Sequence, residues 1–166
     1  MVSKTNLMTI ATQERLQKKF KQVQTDLKEA GRRRGDAFGP NCDWHDNAAA
    51  DFAVEEFKRI GVREEELKTR LQNVEIIKPQ KETGEVALGN AVIVRMGDSD
   101  EDEVLTVLGS DDSGTKKGWI SYESPVGGAL IGMTKGEVKT LRLGHLREDV
   151  ARAITITVKQ ILPGDF

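Results

Sequence analysis

The sequence predicts an α+β protein that consists of an N-terminal antiparallel α-helical coiled-coil hairpin followed by a small α+β domain. Two segments of the first half place apolar residues at heptad spacing, which is typical of paired helices. The second half changes to β-branched segments and to alternating ones, which are typical of strands. Pro79 stands where the helical pattern ends, so we place the two domains at residues 1–76 and 77–166.

The hairpin is predicted from two apolar seams. The first helix runs over residues 14–34 with Thr12 as its N-cap, and the loop after it contains Gly39-Pro40. The residues of the first seam are Leu16, Phe20, Val23, Leu27 and Ala30, and those of the second are Ala53, Phe57, Ile60, Leu67, Leu71 and Val74. Two such helices joined by a short loop fold back on each other, which places the tip near residues 36–47. A coiled-coil dimerisation arm would have the same pattern.

The second half is predicted to combine several antiparallel strands with one short helix. The strand segments are residues 92–94, 104–108 and 153–158. The helix covers residues 125–131, with Ser124 as its N-cap, Pro125 as its first residue and Gly132 as its stop signal. One short helix against several strands is an α+β arrangement.

The bulk composition excludes several classes of protein. Cys42 is the single cysteine, so no internal disulfide is possible, and we expect a reducing cytoplasm. We find no run of about 18 apolar residues and no signal peptide, and we therefore expect no membrane partner. Aromatic residues make up 5% of the chain, which argues against stacking platforms for single-stranded nucleic acid.

Charge is distributed unevenly along the predicted hairpin. Residues 11–34 contain 8 basic and 3 acidic side chains, whereas residues 35–66 contain 3 basic and 9 acidic ones. Arg32, Arg33 and Arg34 end the first helix, and together with its lysines they form a basic flank suited to phosphates. A solvated helix face is the alternative interpretation.

The predicted tip carries two carboxylates, Asp43 and Asp46, at the start of a helix. Their spacing lets both address one Mg²⁺, but two carboxylates do not hold that ion tightly alone, so it would be shared with oxygens of another molecule. The same spacing also suits a helix cap, and this alternative stays open. A zinc site with Cys42 and His45 is disfavoured because zinc usually needs four ligands.

Residues 120–138, ISYESPVGGALIGMTKGEV, resemble the C-terminal signature of Gre-type transcript cleavage factors. The positions that carry the match, and that the resemblance assigns to polymerase binding, are Ser124, Pro125, Ala129, Leu130, Gly132 and Gly136. Residues 42–48, CDWHDNA, are similar to the family's tip pattern G-D-x-x-E-N-A. This chain departs from that pattern in Cys42, which replaces the glycine, and in Asp46, which replaces the glutamate. Its tip loop is also longer.

The resemblance implies a fold, a partner and a mechanism. The C-terminal domain would be FKBP-like and would bind bacterial RNA polymerase, while the coiled coil would enter the secondary channel. There Asp43 and Asp46 would help to hold Mg²⁺ shared with the polymerase active site, and Arg32, Arg33 and Arg34 would meet the nascent RNA 3′ segment. The polymerase itself, rather than this factor, would cleave backtracked RNA.

The resemblance also leaves alternatives. Because the tip departs from the family's pattern, one alternative is that the protein binds in the channel as an inhibitor and has no cleavage activity. A prolyl isomerase is disfavoured because Trp119, Tyr122 and Phe166 are the only aromatic residues after position 80. We expect the protein to act as a monomer.

Overall fold

The computed structural model describes residues 5–38, 48–81, 83–97, 99–143 and 152–166. Its helices are α1 (Ile10–Ala37), α2 (Ala48–Leu71) and α3 (Pro125–Leu130), and its strands are β1 (Asn6–Met8), β2 (Val74–Ile76), β3 (Ala91–Met96), β4 (Asp102–Leu108), β5 (Trp119–Ser121), β6 (Val138–Leu143) and β7 (Arg152–Leu162). This composition confirms the predicted α+β class. Within these described ranges, none of the helices combines the length and the hydrophobicity that a membrane-spanning helix needs.

The chain divides into two compact units. The first, which we call the hairpin unit, is formed mainly by Gln13–Val74. The second, the sheet unit, consists of Leu7–Thr12 together with Glu75–Phe166. The sheet unit therefore includes a short N-terminal segment that the sequence analysis assigned to the first domain.

The two helices of the hairpin unit run antiparallel, since residues late in α1 lie against residues early in α2. A Cβ atom built on Gly31 would lie 3.4 Å from the ring of Phe57, and one on Gly61 would lie 3.9 Å from the side chain of Leu27. The buried residues of the predicted seams are Leu16, Val23, Ala30 and Leu67. The predicted helical hairpin is therefore confirmed, and α2 continues through Gly61.

The ends of the hairpin helices differ from the prediction. Helix α1 continues past Gly35 to Ala37, so the glycines after the seam do not end it. Helix α2 ends at Leu71, whereas Val74, predicted as the last seam residue, begins β2. The cause is Asn73, whose φ of 49° lies in the left-handed region and breaks the helical path.

The start of α1 is held by a buried carboxylate of the sheet unit. Asp112 has no exposed surface, and it accepts the Thr9 N–H at 3.0 and 3.2 Å and the Thr9 hydroxyl at 2.6 Å. The Thr9 oxygen in turn accepts the N–H of Thr12 at 3.3 Å. Thr9 therefore caps α1, and the prediction that Thr12 does so was wrong.

The segment Leu7–Thr12, which we call the strap, lies tightly against the turn that follows β4. A Cβ atom on Gly109 would lie 1.8 Å from the carbonyl oxygen of Leu7, so a side chain at that position would collide with the strap. The side chain of Leu7 packs against a small core cluster formed by Ile77, Leu108 and Trp119. The strap is thus part of the packing of the sheet unit.

The main sheet has five strands in the order β5-β4-β3-β7-β6. The three segments predicted as strands lie within β3, β4 and β7, and these strands pair antiparallel as expected. Strand β6 pairs antiparallel with β7 and was not predicted. Strand β5 pairs parallel to β4, unlike the all-antiparallel prediction, because the connection at residues 109–118 returns the chain to the same edge in the same direction.

The main core of the sheet unit includes buried residues of the sheet together with residues in and just after α3. Its members include Val92, Val94, Leu105, Val107, Leu130, Met133, Ile156 and Val158. Because Leu130 has no exposed surface, α3 is fixed on this core, and the signature that surrounds it is held in a defined position.

Candidate functional site

The predicted tip lies outside the described residues. Asp43 and Asp46 fall in the segment 39–47, between the end of α1 at Ala37 and the start of α2 at Ala48. In the described ranges, no group of three or more His, Cys, Asp or Glu side chains is arranged to hold a metal ion. The Mg²⁺ hypothesis therefore depends on donor chemistry. Carboxylate oxygens are suitable Mg²⁺ ligands, and two of them leave coordination positions for a partner.

Arg33, in the last turns of α1, forms a bidentate ion pair across the hairpin. Its Nε and Nη2 atoms donate to the two carboxylate oxygens of Glu56 on α2 at 3.2 and 3.1 Å. Its Nη1 also lies 4.0 Å from Glu29, one turn earlier on α1. This arginine therefore has carboxylate partners within the protein, which the sequence analysis did not predict.

Arg34 makes a different contact with the same helix. The central carbon of its guanidinium lies 4.4 Å from the centre of the Phe57 ring, which is cation–π geometry. Phe57 is half-buried and packs against α1 at Gly31. The aromatic ring therefore links the end of α1 to α2 through both an apolar contact and a charged one.

Arg32 differs from its two neighbours. It is exposed, and within the described part of the chain it makes no ion pair or hydrogen bond through its side chain. The lysines of the predicted basic flank, Lys18, Lys19, Lys21 and Lys28, are exposed as well. The structure thus separates the basic flank into cations that face solvent and two arginines that contact α2.

Ser124, the first signature position predicted to contact polymerase, caps α3 as expected. Its Oγ accepts the N–H of Gly127 at 3.0 Å and donates to the carbonyl oxygen of Ser121 at 2.6 Å. A Cβ atom on Gly127 would lie 2.0 Å from that same carbonyl, so the turn requires glycine there. Pro125 follows as the first helical residue and is exposed.

The next two signature positions lie inside the sheet unit. Leu130 has no exposed surface, and Ala129 is 8% exposed. The carbonyl of Ala129 accepts a hydrogen bond from Nζ of Lys139 at 3.2 Å, which ties α3 to β6. These two residues hold α3 in place, and their side chains offer little surface to a partner.

The two signature glycines form turns. Gly132 and Gly136 have φ values of 79° and 85°, which favour glycine because other residues are strained there. Their N–H groups donate to the carbonyl oxygens of Val86 and Val158 at 2.8 and 2.7 Å. Next to the first turn, Ile131 is 39% exposed. The exposed part of the signature therefore includes Pro125, Ile131 and the two turns.

Sequence reasoning missed the partners of the arginines and the capping carboxylate. Phe57 was assigned to the seam, whereas Glu56 and Asp112 were not singled out at all. A signal for Glu56 exists, since an acidic residue beside a seam position of one helix can pair with a basic residue of the other. We find no comparable local signal for Asp112.

The comparisons with known proteins concern both units. Residues 80–157 match the family model described as transcription elongation factor, GreA/GreB, C-term. The transcription elongation factor GreA of Chloroflexus aggregans is 46% identical over 68 residues, which cover 40% of this chain and 43% of that protein. The transcription elongation factor GreA of Streptococcus pneumoniae is 28% identical over 142 residues, which cover 85% of this chain and 89% of that protein. That match is longer than either unit, so it extends into both.

A comparison with a solved structure also covers most of this chain. The crystal structure of the GreA factor homolog Gfh1 of Thermus thermophilus shares 23% sequence identity with this chain. The comparison covers 95% of this chain and 99% of that one, with a TM-score of 0.43.

Proposed function

Because this chain is a Gre-type factor of the GreA/GreB family of transcription elongation factors, we propose that it binds bacterial RNA polymerase and stimulates the polymerase's own cleavage of backtracked RNA. In this proposal the chain is an accessory factor and the polymerase is the enzyme. The observation that carries the proposal is the hairpin unit, in which two antiparallel helices lead to a segment with two carboxylates, Asp43 and Asp46.

The sheet unit would bind the polymerase through the exposed part of its signature. Pro125 and Ile131 flank α3 and are exposed, and the backbone between and beyond them is held by buried Leu130 and the turns at Gly132 and Gly136. A surface whose backbone is fixed in advance loses little conformational freedom on binding. This argument supports direct contact by the exposed residues and a structural role for the buried ones.

The hairpin unit would place the two tip carboxylates in the secondary channel. Asp43 and Asp46 would hold Mg²⁺ jointly with oxygens of the polymerase, since two carboxylates do not fill the coordination shell. When bound there, Mg²⁺ would stabilise the charge on the oxygens that attack and leave in RNA hydrolysis. Arg32 and the exposed lysines of α1 would contact phosphates of the RNA 3′ segment.

The test is transcript cleavage by a backtracked polymerase complex with wild type, Asp43→Asn and Asp46→Asn. Asparagine caps a helix about as well as aspartate, but it is a far poorer Mg²⁺ ligand. Both variants should therefore cleave much more slowly at saturating factor while they still compete with wild type for the polymerase. Cleavage at the wild-type rate by both variants would show that the carboxylates serve only as caps.

The tip sequence favours one second candidate, a channel-binding inhibitor. Cys42 and Asp46 replace the glycine and the glutamate of the family's pattern, and the loop is longer. Because aspartate is one methylene shorter than glutamate, its carboxylate reaches less far from the backbone. A wild-type protein that slows elongation but never stimulates cleavage at saturating Mg²⁺ would establish the inhibitor.

A further inference from the structure

Two arginines of the basic flank make contacts that an RNA-binding role does not use. Arg33 and Arg34 hold Glu56 and Phe57, which are neighbours on α2. Both arginines lie within four residues of Ala37, where α1 ends and the tip segment begins. The contacts therefore join the last turns of α1 to α2, at positions eight and nine residues after α2 begins at Ala48.

We propose that Arg33 and Arg34 are positioning residues, which fasten α1 to α2 beside the tip and thereby determine how Asp43 and Asp46 are presented. The inference rests on the proposed function, because presenting those carboxylates matters only if they take part in cleavage. Of these three consecutive arginines, Arg32 is then the one that contacts phosphate.

The geometry of each contact supports this division of roles. The Nε and Nη2 atoms of Arg33 donate to both carboxylate oxygens of Glu56. The positive charge of Arg33 is therefore compensated, and these two donors of its guanidinium group are already used. Arg34 places its planar guanidinium on the Phe57 ring, a contact that lysine does not reproduce equally. Arg32 has no such partner within the described residues, and it is exposed.

The ion pair should act locally and contribute little to global stability. The side chains of Arg33 and Glu56 are 51% and 37% exposed, and solvent weakens pairs of this kind. The expected effect on cleavage at saturating factor is therefore a loss of about two- to fivefold, which corresponds to the usual strength of an exposed pair. The factor concentration that gives half-maximal cleavage should not change, because the sheet unit is unaltered.

Glu56→Gln is the decisive variant. If Arg33 binds RNA, removing its carboxylate partner frees the guanidinium, so RNA crosslinking and cleavage should rise. If Arg33 is a positioning residue, Glu56→Gln should lower cleavage as much as Arg33→Gln does, and the exchange Arg33→Glu/Glu56→Arg should restore it. Lys58→Gln is the matched control, since it removes one positive charge and breaks only the pair with Glu55 inside α2, whose N–O distance is 3.1 Å.

Arg34 is tested by a charge-preserving change. Arg34→Lys keeps the positive charge that a phosphate contact needs, but it loses the planar group that lies on Phe57. A positioning role predicts slower cleavage with unchanged RNA crosslinking. Full cleavage activity in Arg34→Lys, or an exchange variant at Arg33 and Glu56 that stays as impaired as the single changes, would overturn the inference.

A measurement on the free protein separates this inference from the proposed function. If wild type does not stimulate cleavage, the proposed function fails. The positioning role is then tested by measuring amide hydrogen exchange at the helix ends of the free protein. Amides of residues 35–38 and 48–51 should exchange about two- to fivefold faster in Arg33→Gln and Glu56→Gln, and should recover in the exchange variant. Unchanged exchange in both single variants would refute the positioning role.

Discussion

Replacing Asp112 by alanine should strongly destabilise the sheet unit. The carboxylate has no exposed surface and accepts hydrogen bonds from both the N–H and the hydroxyl of Thr9. Two charge-assisted bonds at about 1.5–3 kcal/mol each amount to about 3–6 kcal/mol. Since the variant no longer buries a carboxylate, part of this loss is recovered, and we expect a net decrease of about 2–4 kcal/mol in the free energy of unfolding.

The assay is urea unfolding followed by the fluorescence of Trp119, which packs in the same small cluster as Leu7 of the strap. A Trp44→Phe background leaves Trp119 as the single tryptophan of the chain. Asp100→Ala is the matched control, because it removes an exposed carboxylate and should change stability by less than about 0.5 kcal/mol.

A double-mutant cycle identifies the partner of the carboxylate. Thr9→Val removes the hydroxyl that donates to Asp112 at 2.6 Å, so its effect should be much smaller when Asp112 is already alanine. Additive losses would show that the two residues do not stabilise the protein through each other. A loss below about 1 kcal/mol for Asp112→Ala would refute the argument from burial and hydrogen bonding.

Three further predictions follow from the fold and the site. A fragment of residues 75–166 should melt at a lower temperature than the same fragment with the strap attached through a flexible linker, as measured by circular dichroism. Equal melting temperatures would mean that the strap adds nothing. Leu130→Ala should lower the stability of the sheet unit by about 2–5 kcal/mol in urea, because the side chain is fully buried. Arg32→Gln should weaken crosslinking to the RNA 3′ segment and reduce the salt slope by about one counterion. Crosslinking at the wild-type level would show that Arg32 is an ordinary solvent-exposed residue that does not contact the RNA.

The parts of the fold that depend on local chemistry could be predicted from the sequence. The heptad spacing predicted the hairpin because an apolar stripe on a long helix needs a partner helix, and Leu16 and Val23 are buried accordingly. The cap of α3 was predicted because Ser124 directly precedes Pro125, a favoured first residue of a helix, and the amide that Ser124 binds is only three residues away. The Gre-type resemblance, carried by the same stretch, is confirmed by the family comparison.

The errors come from contacts between residues distant in sequence. Thr12 and Thr9 both precede apolar residues of the same helix, and the choice between them is made by Asp112, 103 positions from Thr9. Similarly, a count of positive charges does not distinguish Arg32 from Arg33, because the difference lies in the carboxylate of Glu56 on another helix. The roles of the tip carboxylates stay a prediction.

The strap has a consequence for the order of events while the chain is synthesised. Thr9 is made well before its hydrogen-bond partner, which follows 103 positions later in the chain. At translation rates of about 5–20 residues per second, the strap waits about 5–20 seconds for that partner. During that interval the emerging chain has the amino acids of its hairpin but not the turn on which the strap rests. The strap can therefore reach its native contacts with Asp112 and the turn after β4 only after those residues have been made.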